Sequence, residues 1–174
     1  MKFIVVIITF FISSFSLVGQ EQGRMTFALR DEKGKIISEF TLVFIDGKSL
    51  YDSVYVNYHS NGKMKDSCYY EKGIIVGSKY YFDDKGRITV INEFIGNTFP
   101  REIKTKAYYY SSGNATYSEG RLIEKAPGEA VIDGVMKYYW KNGQLMDSVI
   151  FENNQKIYRA GFNKKGELQF ENRY

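Results

Sequence analysis

The chain has 174 residues, a formal charge of +4, 44% hydrophobic and 25% charged residues, 17% aromatics, 16 Gly and 2 Pro. That apolar content excludes a disordered chain, and the length fits one domain or two small ones. One Cys and one His exclude a disulfide framework, a zinc site built from several thiolates and a His-rich metal site, while so modest a charge gives no case for nucleic acid.

The chain opens with Met1 to Gln20, where Lys2 precedes an apolar run from Phe3 to Ile12 and a more polar stretch holding Ser13, Ser14 and Ser16. This is the layout of a cleavable export signal, expected to span residues 1–19 with cleavage after Gly19. The other reading is an N-terminal anchor, against which the apolar run is short for the ~20 residues a membrane-spanning helix needs. Export places the mature chain in the periplasm, the outer envelope or outside the cell, with no transmembrane segment left after cleavage. Cys68 then sits alone in an oxidising compartment, where burial in a strand would keep it from mispairing.

Residues 20–50 are expected to form a capping pair of strands, Met25 to Ile45, around Asp31-Glu32-Lys33-Gly34. From residue 51 the chain repeats itself. Leu50-Tyr-Asp52-Ser53-Val54, Met64-Lys-Asp66-Ser67-Cys68 and Leu145-Met-Asp147-Ser148-Val149 share one pattern, each after a Gly-containing turn at Asp46-Gly47, Asn61-Gly62 or Asn142-Gly143. In a broader register, Gly62, Gly86, Gly113, Gly143 and Gly166 each follow an aromatic by four residues: Tyr58, Phe82, Tyr109, Tyr139 and Phe162. Two residues after each glycine comes Met64, Ile88, Ala115, Leu145 or Leu168. Asn-Gly and Lys-Gly supply the positive φ of a tight hairpin turn, and the flanking aromatic and aliphatic residues suit a cross-strand pair. A lone hairpin does not bury its face, so the hairpins are expected to stack side by side. The predicted fold is all-β: stacked antiparallel β-hairpin repeats forming an elongated twisted sheet. The proline-containing stretches Asn97–Lys106 and Leu122–Glu129 break the rhythm, and an irregular insert is expected at about 97–129 within the repeat domain 51–174.

Gly134-Val-Met-Lys-Tyr-Tyr139-Trp-Lys-Asn142-Gly143-Gln-Leu145 and Gly77-Ser-Lys-Tyr-Tyr-Phe82-Asp-Asp-Lys-Gly86-Arg-Ile88 resemble the bacterial variant of the MORN repeat. Tyr58-His-Ser-Asn61-Gly62-Lys-Met64 and Phe162-Asn-Lys-Lys-Gly166-Glu-Leu168 match its second half. The likeness covers residues 54–96 and 130–172 well, 97–129 poorly and 21–50 hardly at all. It implies stacked hairpins and no catalytic residues. Some bacterial relatives are labelled antitoxins, so the resemblance also implies an antitoxin or immunity-like role as one alternative.

Candidate chemistry is sparse. His59 is the lone general base, at a strand end whose repeat equivalents are Asp83, Tyr110, Trp140 and Asn163. Cys68 aligns with Val54 and Val149 and reads as a small core residue rather than a nucleophile. Asp52, Asp66 and Asp147 form either a carboxylate ladder for a cation or basic partner, or repeated bonds to the backbone of neighbouring turns. The glycines match neither nucleotide-binding pattern. No cofactor and no metal are expected, and the chain is read as no enzyme.

The aromatics carry the functional expectation. If Tyr58, Phe82, Tyr109, Tyr139 and Phe162 face the core, then Tyr81, Tyr108, Tyr110, Tyr138 and Trp140 face the other way. Lys79, Lys104, Lys106, Lys137 and Lys141 make that area basic. Such a face is expected to bind a protein or glycan in the envelope, unless a second layer of the chain covers it. The rival reading is a structural or assembly element that self-associates through its sheet edges.

Overall fold

The computed structural model describes residues 23–109 and 115–174. The expected export signal at 1–19, Gly113 and Tyr110 lie outside the described residues. Those described form one sheet of 13 antiparallel strands with no helix. In chain order they are β1 (Arg24–Arg30), β2 (Ile36–Ile45), β3 (Lys48–Tyr51), β4 (Ser53–Tyr58), β5 (Met64–Glu71), β6 (Ile74–Phe82), β7 (Ile88–Ile95), β8 (Arg101–Tyr108), β9 (Thr116–Ala126), β10 (Glu129–Tyr139), β11 (Leu145–Glu152), β12 (Gln155–Phe162) and β13 (Leu168–Arg173). Each strand pairs with its sequence neighbours, except that β3 and β4 both pair with β2 as two halves of one strand broken at Asp52. Among the described residues no helix is long and apolar enough to cross a membrane.

The predicted hairpins are present, and their turns alternate between the two ends of the sheet. At one end Asp46–Gly47, Lys72–Gly73 and Asn153–Asn154 are tight turns with positive φ at both residues, the mirror-image turns that match strand twist. At the other end lie the repeat turns. Gly34, Gly62, Gly86, Gly143 and Gly166 have φ from 80° to 86° there, and each donates its N–H to the carbonyl three residues earlier. An L side chain rarely adopts that φ, which is why glycine recurs at this position.

The repeat turns fall into two chemical kinds. Asp31, Asp83 and Asn163, at the first position, accept two backbone N–H groups of their own turn through one oxygen. Where the first position is His59 or Trp140, Asn61 or Asn142 accepts such a bond instead. The first side chain then reaches the next hairpin. His59 Nε2 donates to the Phe82 carbonyl at 2.9 Å and Trp140 Nε1 to the Phe162 carbonyl at 3.1 Å. Asn61 and Asn142 also donate across, to the Asp84 and Lys164 carbonyls. Turn chemistry thus stitches neighbouring hairpins together.

Each repeat turn is followed by a bulge. The expected pairs Tyr58–Met64, Phe82–Ile88, Tyr139–Leu145 and Phe162–Leu168 are all in register. One residue further on, the register shifts, leaving Lys65, Thr89, Met146 and Gln169 without an in-register partner. The hairpin of β8 and β9 corrects the sequence alignment: Tyr108, not Tyr109, pairs with Thr116, and Tyr109 takes the turn position equivalent to His59. Like its equivalents, Tyr109 donates across, from its hydroxyl to the Tyr139 carbonyl at 2.7 Å. Residues 97–129 are not an irregular insert. β8 and β9 are regular strands within the sheet, so most of the described part of this stretch follows the same strand order. Seven residues separate the paired Tyr108 and Thr116, against five between Tyr58 and Met64, and this longer connection lowers the resemblance to the repeat.

Cross-strand register sets one straight row across the full width of the sheet. Leu29, Ser38, Asn57, Asp66, Tyr81, Val90, Ala107, Ser118, Tyr138, Asp147, Gly161 and Phe170 pair successively, each with the next. Paired residues share a face, so this row defines one side of the molecule. The next row along the strands holds Phe27, Phe40, Tyr55, Cys68, Asn92, Thr105, Gly120, Met136 and Val149. Most buried residues belong to this side: Ser38, Asp66, Cys68, Phe94, Arg101, Ile103, Ser118, Glu124, Met136 and Val149. Close approach is built in at Gly120, where an added Cβ would stand 2.1 Å from Met136 Sδ, and at Gly161, where it would stand 2.3 Å from the Phe170 ring.

Candidate binding face

The buried side carries a cluster of aromatic rings in mutual contact. Phe27 stacks on Phe40 with ring centroids 5.4 Å apart, Phe40 on Tyr55 at 6.0 Å, and Tyr51 meets Tyr55 and Tyr70 at 5.3 and 5.1 Å. The cluster forms because β1 to β5 present an aromatic at adjacent positions of the same rows. Beyond it lies a hollow of about 490 Å³, lined by Tyr51, Tyr70, Ile75, Lys79, Tyr81, Asn92, Phe94, Phe99, Arg101, Ile103 and Glu124 among others. A second hollow of about 420 Å³ continues it along Tyr81, Asn92, Thr105, Leu122, Ile132 and Met136.

Two buried charge clusters support the floor. Arg101 and Glu124 have side chains only 2% and 5% exposed, with Nε 2.6 Å from Oε2. Arg101 also donates to the carbonyls of Ile75 and Gly96 at 2.5 and 3.2 Å, and its guanidinium lies 4.6 Å from the Phe94 centroid and 5.0 Å from that of Phe99. Glu124 accepts the Gly128 N–H at 2.9 Å. In the second cluster Asp66 accepts from Asn57 at 3.0 Å and pairs with Lys79 at 3.4 Å. Burial acts to lower the Lys79 pKa, but Tyr81 and Asp66 outweigh it and hold the ammonium above its ordinary range. Burial pushes the Tyr70 hydroxyl and the Cys68 thiol up, so both stay protonated near neutral pH.

The sequence-predicted aromatics do not share one face. Tyr81 and Tyr138 lie in the row on the buried side, which reverses the expected orientation. The turn aromatics Tyr58, Phe82, Tyr139 and Phe162 stand on the other side. Tyr108 joins that other side, at the position equivalent to Tyr58. Trp140 sits in its turn, its indole N–H committed to Phe162 and its ring 5.6 Å from Lys164 Nζ. Alternation puts the residue before each turn aromatic on the opposite side from it, but does not say which of the two sides is buried. The bulge after each turn brings the residue that follows it, such as Asp66, Ser118 or Asp147, onto the buried side beside the residue before the turn aromatic. Tyr51, Tyr55, Tyr70, Phe94 and Phe99 escape the sequence pattern because they fall outside the repeat anchors.

The basic area is also divided. Lys79 is on the buried side, whereas Lys104, Lys106 and Lys137 line a hollow on the other, where Glu93 and Glu119 oppose them in register. The aspartates divide likewise. Asp66 and Asp147 are true equivalents, each met by a cation from the next strand; Arg159 binds Asp147 with two contacts of 2.8 Å. Asp52 is different, because Asp46–Gly47 belongs to the opposite end of the sheet. It sits in the break between β3 and β4, accepting the Lys72 N–H at 3.1 Å and pairing with Arg24 at 2.6 Å. Val54 accordingly is 50% exposed, unlike Cys68 and Val149. Among the described residues no group of three His, Cys, Asp or Glu is placed to hold a metal ion.

No family model matches the chain, and no curated protein matches it. Among solved structures it is similar to a DUF3836 family protein from Parabacteroides distasonis, with 13% identity over 63% of this chain and 95% of that one and a TM-score of 0.24. It is also similar to a protein of unknown function from Bacteroides fragilis, with 9% identity over 88% of this chain and 93% of that one and a TM-score of 0.20. Neither likeness bears on what this chain does.

Proposed function

We propose that this is an exported, non-enzymatic repeat protein of the MORN-variant kind that binds a protein or glycan partner in the aromatic hollow of its buried side. The observation carrying this reading is the hollow of about 490 Å³ edged by Tyr51, Tyr70, Tyr81 and Phe99 beside the Lys79 ammonium. Large rings with polar tips give contact area at low entropic cost, and Tyr51 remains 38% exposed. The non-enzymatic part rests on the two candidate reactive groups. His59 spends its Nε2 proton on a turn carbonyl, and Cys68 is buried with a raised pKa.

The test is affinity capture from the native envelope with the wild-type chain and with a Tyr51→Ala/Tyr81→Ala variant of matching melting temperature. A partner held by the first and released by the second supports the reading. Equal retention by both places binding elsewhere, and retention by neither removes the binding role.

A further inference from the structure

We propose that copies of this chain assemble head to tail, β13 of one pairing antiparallel with β1 of the next, with Phe170 opposite Leu29. Among the described residues, β1 and β13 are the two ends of the strand order, each with one edge unpaired. Unpaired edges recruit strands. What selects the occupant is the internal register. Every joint between successive hairpins places the residue after the bulge opposite the residue before the next turn aromatic or its equivalent. The joints are Ser38–Asn57, Asp66–Tyr81, Val90–Ala107, Ser118–Tyr138 and Asp147–Gly161. In the last hairpin the residue after the bulge is Phe170. In the first hairpin the residue before the turn is Leu29, with Arg30 at the aromatic position. The repeat's own rule therefore makes Leu29 of a second copy the next member of the row.

The row also runs without net stagger. A sheet closes into a barrel only with a fixed shear between its ends, so this geometry leaves the two edges apart for another copy. The same register sets Asn172 opposite Phe27 and Tyr174 opposite Met25, on the buried side. It covers rings and chains now 38% exposed at Phe170, 62% at Tyr174 and 39% at Met25. On the other side Glu171 faces Ala28, diagonal to Arg30, and Arg173 faces Thr26, diagonal to Arg24, which Asp52 already neutralises. Because the two edges differ, the contact is heterologous, and addition continues into an open fibre unless twist closes a ring.

The test uses register-specific cross-linking beside sedimentation velocity over a wide concentration range. Ala28→Cys/Glu171→Cys puts thiols opposite each other across the joint, whereas Ala28→Cys/Asn172→Cys puts them on opposite faces; the native Cys68 is buried. We expect wild-type mass to rise with concentration, and the first variant to give an intermolecular disulfide ladder absent from the second. A wild type that stays monomeric throughout overturns the proposal. So does equal cross-linking of both variants, which marks random collision, or a link formed within one molecule. Oligomers without the in-register link overturn it as well, by placing association on another surface.

Discussion

Truncating Arg101 to alanine should be among the most damaging single changes in the chain. Its guanidinium and the Glu124 carboxylate are 2% and 5% exposed and 2.6 Å apart. Removing one member of such a pair leaves the other charge buried without compensation, a loss of about 3–5 kcal/mol. The carbonyls of Ile75 and Gly96 lose their donor in the same step. Against a typical domain stability of about 5–15 kcal/mol, that is at least about a fifth of the total. At about 2–4 °C per kcal/mol for a chain of this size, the midpoint should fall by roughly 10 °C. The assay is denaturant unfolding of Arg101→Ala, Glu124→Ala and the double variant. The double variant should be less destabilised than the two singles summed, by about 0.5–3 kcal/mol, because the second truncation removes the orphaned charge. Arg121→Ala is the contrast: its ion pairs are 3.8 Å long and its side chain 46% exposed, so its cost should stay under about 1 kcal/mol. If Arg101→Ala also costs less than about 1 kcal/mol, or if the cycle is additive, the buried pair does not hold this end of the sheet.

Ser53 has φ 75°, at the position where the equivalent repeats place Gly77 and Gly134 with φ 70° and 109°. Ser53→Gly should stabilise by up to about 1 kcal/mol and Gly77→Ala destabilise by about 1–2 kcal/mol, read from denaturation midpoints; the opposite sign at either site refutes the strain assignment. The Glu39 hydrogen bond pushes the Tyr58 hydroxyl up to about 12, and burial with the Glu119 hydrogen bond does the same for Tyr139. A raised tyrosine pKa stabilises fully below the ordinary value of 10 and is lost as pH climbs through 12. Stability should therefore fall between these pH values, and less steeply in Tyr58→Phe/Tyr139→Phe; parallel pH curves would refute it. Cys68, buried with its pKa raised, should resist thiol reagents in the folded protein and react fully in denaturant; rapid native labelling would contradict its placement.

The hairpins are legible in the sequence because turn chemistry is local. A glycine with positive φ, preceded by Asp31, Asn61, Asp83, Asn142 or Asn163, announces itself within a few residues, and so do the cross-strand pairs that flank it. The repeat equivalents are less secure where the connection changes length. Two extra residues between Tyr108 and Thr116 move Tyr109 into the turn, and a tight turn at the far end makes Asp52 look like Asp66.

The composition and turn spacing by themselves determined an all-β chain of stacked hairpins and the pairs Tyr58–Met64, Phe82–Ile88, Tyr139–Leu145 and Phe162–Leu168. Only the tertiary structure decided which side of the sheet those hairpins bury. A one-residue bulge reverses the face of every later residue in its strand, and the bulge leaves no residue signature of its own. Side-to-side register likewise depends on hydrogen bonding between successive hairpins, which no single turn specifies. Register within the β8–β9 hairpin set Arg101 opposite Glu124, while register from hairpin to hairpin gathered Tyr51, Tyr70 and Tyr81 around one hollow and aligned Leu29 and Phe170 at the two ends of one row.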